Sequence, residues 1–320
     1  MVAENDAPHH SLVVMPLDPS SMSNPTKVEI DTQLVRRLVR TQFPQWSNLS
    51  IESVEPNGWD NRTYRLGKAM SVRLPSAECY AVQVEKEQRW LPKLAPLLPL
   101  AIPAPLAMGL PTKDYPWRWS VYRWLEGEHA TAGRIKNMNR FATTLAQFLV
   151  ALWQADTAEG PPPGEHNFFR GGPLAKYDSE TRDAIDSLCS RMDASVLTEV
   201  WETSLKSTWN DTPVWVHGDL HGTNLLVRDG CLSAVIDFGC LGVGDPACDF
   251  TIAWTLFSVD SRREFRAAIP IDDSTWTRSR GWALWKGLIT LLKVLDTNPR
   301  AAASARQTID AVLADHQRAA

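Results

Sequence analysis

Three polar side chains in the second half of the chain have the types and spacing to handle a phosphate group. Asn224 comes five residues after Asp219, and Asp237 comes thirteen residues after Asn224. A carboxylate and an amide oxygen side by side are hard oxygen ligands that suit Mg²⁺, so Asn224 and Asp237 are predicted metal ligands. Asp219 is placed to accept a proton from a hydroxyl group. Phosphoryl transfer needs this set, because the metal holds the triphosphate and the carboxylate orients the attacking oxygen.

The same residue types also have a plainer explanation. Aspartate and asparagine in turns often do no more than cap helices and bond the backbone, and for any one of these residues alone that explanation is preferred. The combination favours catalysis, because the motif H-G-D-x-x-x-x-N at 217–224 is followed by I-D-F-G at 236–239.

The elements around this motif predict how its side chains meet. Apolar residues at 214–216 predict a strand before the loop, and apolar runs at 225–227 and 234–236 flank the turn dipeptide Asp229-Gly230. Such a pattern predicts a β-hairpin. Since the paired strands lie side by side, Asn224 and Asp237 are expected at the same end of the hairpin.

With these motifs the sequence resembles the aminoglycoside phosphotransferase family, which shares the protein-kinase-like fold with the choline kinases. The resemblance runs from about Asp31 to the C-terminal helices. It implies a bilobal α+β fold with an antiparallel-sheet N-lobe and a mainly helical C-lobe. It also implies that Asp219 is the catalytic carboxylate, that Asn224 and Asp237 bind Mg²⁺, and that His217 supports the loop through backbone bonds. ATP is the implied phosphate donor, with GTP left open.

By the same resemblance, the segment after Asp237 contains a structural turn at Asp245-Pro246. Asp249, a little further on, is treated as structural and is expected to cap the helix that follows it. His221 is left as either a neighbour of the catalytic group or a plain surface residue.

The nucleotide lobe is predicted from a hairpin at 63–66 and 70–74. Side chains alternate along a strand, so Arg73 faces away from Val72. In the related kinases a lysine in this position faces the phosphates, and here Arg73 takes its place. A glutamate on the next helix should pair with it, and Glu87 is chosen over its rival Glu85. A solvated helix face explains both glutamates equally well.

A loop between two predicted strands could cover the phosphates. It contains Gly58, Trp59, Asp60 and Asn61, which are assigned to nucleotide binding. A single glycine is a weak signal, and a plain hairpin turn explains the segment equally well.

Two departures from protein kinases favour a small-molecule acceptor with a hydroxyl group. Gly218 takes the position of the arginine that, in protein kinases, binds a phosphorylated activation loop. Asp237 and Asp245 are only eight residues apart, which leaves no room for a peptide-binding segment. The alternative function is a catalytically silent nucleotide- or ligand-binding protein on the same fold, which Arg73 and the poor glycine loop would suit.

The sequence contains few signals that identify the acceptor. Related enzymes bind polycations through acidic residues in the C-terminal helices, where this chain has Asp260, Glu264, Asp272 and Asp273. Ordinary surface carboxylates are the simpler explanation. Trp282, Trp285 and Ile289 share one helix face, for which core packing is preferred over an aromatic box that would hold a quaternary amine.

The order of these patterns predicts the organisation of the chain. Residues 1–25 show no periodicity and are expected to be a disordered leader. Residues 26–127 are rich in strand signals and form the predicted nucleotide-binding lobe. Residues 128–320 are rich in helix signals and form the predicted catalytic and acceptor lobe.

Composition excludes several classes of protein. The chain has 320 residues, with 33 basic against 37 acidic ones and a net charge of -4. This balance predicts neither a nucleic-acid partner nor a membrane surface. Five cysteines without a C-x-x-C pair argue against disulfides and zinc. A cytoplasmic monomer or homodimer without a membrane span is therefore expected.

Overall fold

The computed structural model describes residues 28–55, 58 and 60–319. The leader predicted over residues 1–25 and the candidate residue Trp59 lie outside this range. The described chain confirms the predicted fold class, with an antiparallel sheet in the N-terminal half and mainly helices in the C-terminal half.

Within its described residues, the N-terminal lobe has two α-helices and a five-stranded sheet. Helix α1 spans Thr32–Gln42, and α2 spans Glu78–Leu94. The strands lie in the order β1-β2-β3-β5-β4, and all of their pairings are antiparallel. Their bounds are Ile51–Ser53 for β1, Asn61–Leu66 for β2, Met70–Pro75 for β3, Pro105–Gly109 for β4 and Trp119–Arg123 for β5. The proline-dense stretch after α2 contains β4.

Helix α1 begins directly after Asp31. The Asp31 carboxylate accepts a hydrogen bond of 2.7 Å from the Leu34 amide and caps the helix. The apolar stripe of α1 packs with the inner face of the sheet, which contributes Leu66, Val72 and Val121. This small core therefore holds β3, the strand that contains Arg73, in a fixed register.

The C-terminal lobe has a separate and larger core. Its helices are α3 (Met138–Trp153), α4 (Asp178–Leu188), α5 (Ala194–Lys206), α6 (Ile252–Thr255), α7 (Val259–Ala267), α8 (Asp273–Val294) and α9 (Pro299–Ala319). The core includes the fully buried rings of Trp201, Trp215 and Trp285. Helix α8 is buried along most of its length, and Asp219 lies against it through Lys286.

Short strands position the polar loop in this lobe. Strand β7 (Val214–Val216) pairs with β10 (Gly242–Gly244). Strands β8 (Leu225–Arg228) and β9 (Cys231–Val235) form the predicted hairpin, and β6 (Glu128–His129) adds to its edge. At the turn both Asp229 and Gly230 have positive φ, of 53° and 79°, as a tight two-residue hairpin turn requires. Strand β5 pairs in the first sheet, and β6 pairs with β8. The boundary near residue 127 stays a prediction.

The five cysteines are all free in the structure. Within the described residues, no helix combines the length and apolar character that crossing a membrane requires.

Candidate active site

The buried carboxylate of Asp249 holds the loop that contains Asp219. Asp249 accepts hydrogen bonds from the backbone amides of His217, at 2.8 Å, and Gly218, at 2.7 Å. Gly218 has φ +83°, and a Cβ there would lie 2.5 Å from the carbonyl oxygen of Cys240, so glycine is required. The expectation that Asp249 caps a helix was wrong, because both of its oxygens bind the loop instead. Burial raises the pKa of Asp249 to about 7.

His217 connects this loop to the β8–β9 hairpin. Its Nε2 lies 3.0 Å from the Ile236 carbonyl, and its Nδ1 accepts a bond from the Asp219 amide at 3.2 Å. The ring is completely buried, and burial lowers the pKa of His217 to about 4. A neutral imidazole can donate at one nitrogen and accept at the other, so His217 bridges two backbone segments. Its supporting role stays a prediction.

The Asp219 carboxylate is surrounded by hydrogen-bond donors. Lys286 Nζ lies 2.7 Å from Oδ1, and His221 Nε2 lies 3.2 Å from Oδ2. Thr223 bonds the other nitrogen of His221 at 2.7 Å, so this histidine is a direct partner of Asp219 and not a surface residue. Burial by itself would raise the pKa of Asp219, but Lys286 and His221 hold it well below its ordinary value. Asp219 is therefore ionised at neutral pH.

Asn224 and Asp237 flank the open end of the hairpin, as the strand pattern predicts. The amide of Ile236 donates to the carbonyl of Asn224 at 2.9 Å, which places the next residue, Asp237, beside it. Asn224 Nδ2 donates to the Asp219 carbonyl at 2.9 Å. The backbone of Asp237 is left-handed, with φ +66°. These contacts bring all three predicted residues to one end of one hairpin.

The two predicted metal ligands keep oxygen atoms available. In the described part of the chain, Asn224 Oδ1 and Asp237 Oδ2 have no hydrogen-bond partner, since their bonds use Nδ2 and Oδ1. The Asp237 side chain is 39% exposed. One amide and one carboxylate oxygen fit a Mg²⁺ ion that takes its remaining ligands from phosphates and water.

Arg73 reaches across the cleft from the N-terminal lobe. Its Nη2 lies 2.8 Å from Asp237 Oδ1, and its Nη1 lies 3.6 Å from Glu87 Oε1. Glu87 is buried and also accepts a short hydrogen bond from the Tyr122 hydroxyl. Glu85 pairs with Arg118 on the surface instead. The expected partner of Arg73 on α2 is therefore Glu87 and not its rival.

The segment of the predicted phosphate loop is described only in part. Gly58 is exposed, and its carbonyl accepts a bond of 2.6 Å from Arg62. Asp60 and Asn61 are each 9% exposed at the beginning of β2, and the Ser76 amide donates to the Asp60 carbonyl at 2.8 Å. Their assignment to nucleotide binding stays a prediction.

Lys86 of α2 fastens this helix to the segment that follows Asp237. Lys86 Nζ donates to the Gly239 carbonyl at 2.7 Å and to the His166 carbonyl at 3.1 Å. Burial lowers the pKa of Lys86 to about 8. The sequence shows only one charged residue among several on a helix, so nothing local could have singled it out.

The tryptophans of α8 pack in the core and enclose a cation of the protein itself. The Arg170 guanidinium lies over the rings of Tyr177, Trp282 and Trp285, at 5.6, 5.4 and 4.6 Å from their centroids. Both tryptophans are 1% exposed. Arg170 therefore fills the space where an aromatic box for a ligand amine was the second explanation.

The acidic residues considered for the acceptor have surface or capping roles. Asp260 pairs with Arg263 one turn along α7, and Asp273 pairs with Arg266. Asp272 caps α8 by accepting a bond of 2.7 Å from the Thr275 amide. The simpler explanation of surface carboxylates is therefore supported for these three.

A bilobal kinase-like fold with this loop and hairpin defines a phosphotransferase, and comparisons with known proteins agree. The sequence model described as the phosphotransferase enzyme family matches residues 53–285. The chain belongs to this family and is a small-molecule kinase. A search of curated proteins found no match.

Solved structures share the fold across nearly the whole chain. A GDP complex of aminoglycoside 2'-phosphotransferase-IIIa is 20% identical with a TM-score of 0.69, covering 90% of this chain and 100% of that one. Macrolide 2'-phosphotransferase type I is 19% identical with a TM-score of 0.57, covering 88% and 98%. A macrolide 2'-phosphotransferase from Brachybacterium faecium is 22% identical with a TM-score of 0.54, covering 82% and 92%.

Proposed function

We propose that this protein transfers the γ-phosphoryl group of ATP or GTP to a hydroxyl group of a small molecule, in a reaction that requires Mg²⁺. The observation that carries the proposal is the meeting of Asp219, Asn224 and Asp237 at one end of a hairpin, with Arg73 reaching them from the other lobe. A catalytically silent binder has no need for this set of groups. Solved relatives of the same fold are described as complexes with GDP and with ADP, which supports a nucleotide donor.

The roles of the residues follow from their contacts. Asp219 is ionised and receives the proton of the acceptor hydroxyl, whose oxygen forms the new bond to the γ-phosphorus. The bond from that phosphorus to the β–γ bridging oxygen breaks, and the nucleoside diphosphate leaves. Arg73, oriented by Glu87, binds phosphate oxygens through a charge that persists at any physiological pH.

Asn224 Oδ1 and Asp237 Oδ2 would hold the Mg²⁺ ion. When bound, this ion neutralises phosphate charge and orients the triphosphate. The chain's own contribution is the hairpin end, where the His217 ring bonds the Ile236 carbonyl and the Ile236 amide bonds the Asn224 carbonyl. These two bonds fix the positions of the two ligands.

An ADP-release assay with a panel of hydroxyl compounds tests the proposal. Asp219→Asn should lower turnover at least about 1,000-fold with nucleotide affinity kept within a few-fold, because only the group at the acceptor is changed. Asp237→Ala should abolish turnover and also weaken binding of the Mg-nucleotide. Asp229→Asn is the matched control, since it removes a carboxylate from the exposed turn of the same hairpin. Normal turnover in either of the first two variants would contradict the proposed roles.

A further inference from the structure

The direction in which the Asp219 carboxylate points depends on groups outside its own side chain. The terminal torsion of an aspartate is broad and roughly two-fold, so the rotamer alone does not fix the two oxygens. A hydroxyl group that gives its proton to Asp219 must meet one of these oxygens at about 2.6–3.2 Å. Productive geometry therefore requires neighbours that hold the carboxylate in place.

Two nitrogen atoms contact the carboxylate, one at each oxygen. Lys286 Nζ lies 2.7 Å from Oδ1, and His221 Nε2 lies 3.2 Å from Oδ2. His221 belongs to the same loop as Asp219, so a shift of the loop would carry it along. Lys286 lies in α8, 67 residues further along the chain. The contact with Lys286 therefore ties the carboxylate to the body of the C-terminal lobe.

The helix that contains Lys286 is itself held on both sides of this residue. Trp285 is 1% exposed, and its Nε1 donates to Glu180 Oε2 at 2.7 Å. At Gly287 a Cβ would lie 2.8 Å from Ile309 Cγ1 of α9, so the two helices pack closely at this level. Lys286 therefore extends from a backbone position that the core fixes.

Stability is a poor explanation for a lysine in this position. The Lys286 and Asp219 side chains are 8% and 11% exposed, and the cost of taking two such charges out of water offsets most of their attraction. Within the described residues, Asp219 is the one hydrogen-bond partner of Lys286. What the lysine adds is thus a fixed donor at Oδ1 of the carboxylate.

We propose that Lys286 is a positioning residue for phosphoryl transfer, which holds Oδ1 of Asp219 from α8 so that the carboxylate faces the acceptor hydroxyl in one orientation. The inference rests on the proposed function and adds a residue to the set that it uses. Loss of a donor to a charged acceptor should lower kcat about 10- to 100-fold. The nucleotide dissociation constant should change by less than about 3-fold, because Arg73, Asn224 and Asp237 keep their contacts.

Steady-state kinetics of three variants test this role, with ADP release measured for the probes kanamycin, erythromycin, glucose and water. Lys286→Met has an unbranched side chain without a donor, and its kcat should fall about 10- to 100-fold with every probe that the wild type uses. Lys286→Arg keeps a charged donor and should retain at least about 3-fold more of the wild-type kcat than Lys286→Met. Lys293→Met is the matched control, because Lys293 is an exposed lysine of the same helix, and its kcat should equal that of the wild type.

Nucleotide titrations and thermal melting separate positioning from a general loss of structure. A merely structural role would lower nucleotide affinity together with kcat, whereas positioning changes kcat and leaves the affinity in place. If Lys286→Met does not fold, Lys286→Gln makes the same comparison, since its shorter side chain draws the donor away from Asp219.

Failure of this inference and failure of the proposed function give different results. A wild-type protein that releases no ADP with any probe, water included, contradicts the proposed function. A protein that releases ADP overturns the inference alone if kcat in Lys286→Met equals or exceeds that of the wild type. Equal losses of kcat and nucleotide affinity in Lys286→Met would overturn it as well.

Discussion

The carboxylate of Asp249 offers a sharp test of how the catalytic loop is held. It is completely buried, and its two oxygens accept hydrogen bonds from the amides of His217 and Gly218 at 2.8 and 2.7 Å. The substitution Asp249→Asn keeps the size of the side chain but leaves one acceptor oxygen in place of two. One buried amide then faces the NH₂ group of the new side chain and loses its partner.

The expected cost follows from this geometry. A buried amide without a partner costs about 1–3 kcal/mol. If the loop shifts and the whole cost adds to the free energy of activation, kcat falls about 10- to 100-fold, since each 1.36 kcal/mol is tenfold in rate. The nucleotide dissociation constant should change by less than about 3-fold, because Arg73 and Asp237 keep their contacts.

The pH dependence gives a second readout. Burial raises the pKa of Asp249 to about 7, and the protonated acid can no longer accept at both oxygens. Activity should therefore rise as the pH increases through 7. The pH profile of Asp249→Asn should lack this rise on its acidic side. The contribution of Asp249 to the free energy of unfolding changes with pH in the opposite direction. Between about pH 4 and 7 the folded state binds more protons than the unfolded chain, so the contribution of Asp249 to stability falls as the pH rises.

Steady-state kinetics from pH 5.5 to 9, nucleotide titrations and thermal melting measure these effects together. Asp260→Asn is the control, since Asp260 is exposed on α7 and pairs with the equally exposed Arg263. Wild-type kcat in Asp249→Asn, or an unchanged acidic limb in its pH profile, would show that the Asp249 bonds do not hold the loop for catalysis.

Two further substitutions test the buried charges of α2. Glu87→Gln should weaken Mg-nucleotide binding about 10-fold in titrations, because Arg73 loses a buried counter-charge. The control Glu85→Gln should change this affinity by less than about 2-fold. Equal effects of the two substitutions would show that Glu87 does not orient Arg73 for the nucleotide. Lys86→Met should show a pH-dependent loss in unfolding experiments. The pKa of Lys86 is about 8 in the fold and ordinarily 10.5, so between these values the unfolded chain binds more protons. Wild-type stability relative to Lys86→Met should then rise with pH by up to about 3 kcal/mol, and a flat difference would contradict the burial of this charge.

The sequence alone determined the features that depend on local spacing. The apolar runs on each side of Asp229-Gly230 define one hairpin register, and this register brings Asn224 and Asp237 to the same end. The cap at Asp31 and the alternation along β3 follow equally from neighbouring residues. Within this short range, the strand and helix periods leave few alternatives for where a side chain lies.

Only the tertiary structure decided which distant groups meet around the site. Arg73 and Asp237 are 164 residues apart, and Lys86 and Gly239 are 153 residues apart. A lysine on a helix has the same local pattern whether it faces water or a buried carboxylate, so Lys286 could not be recognised before α8 was packed against the loop. The packing of the two lobes and their helices supplies that information, because burial is what makes such a charge require its partner.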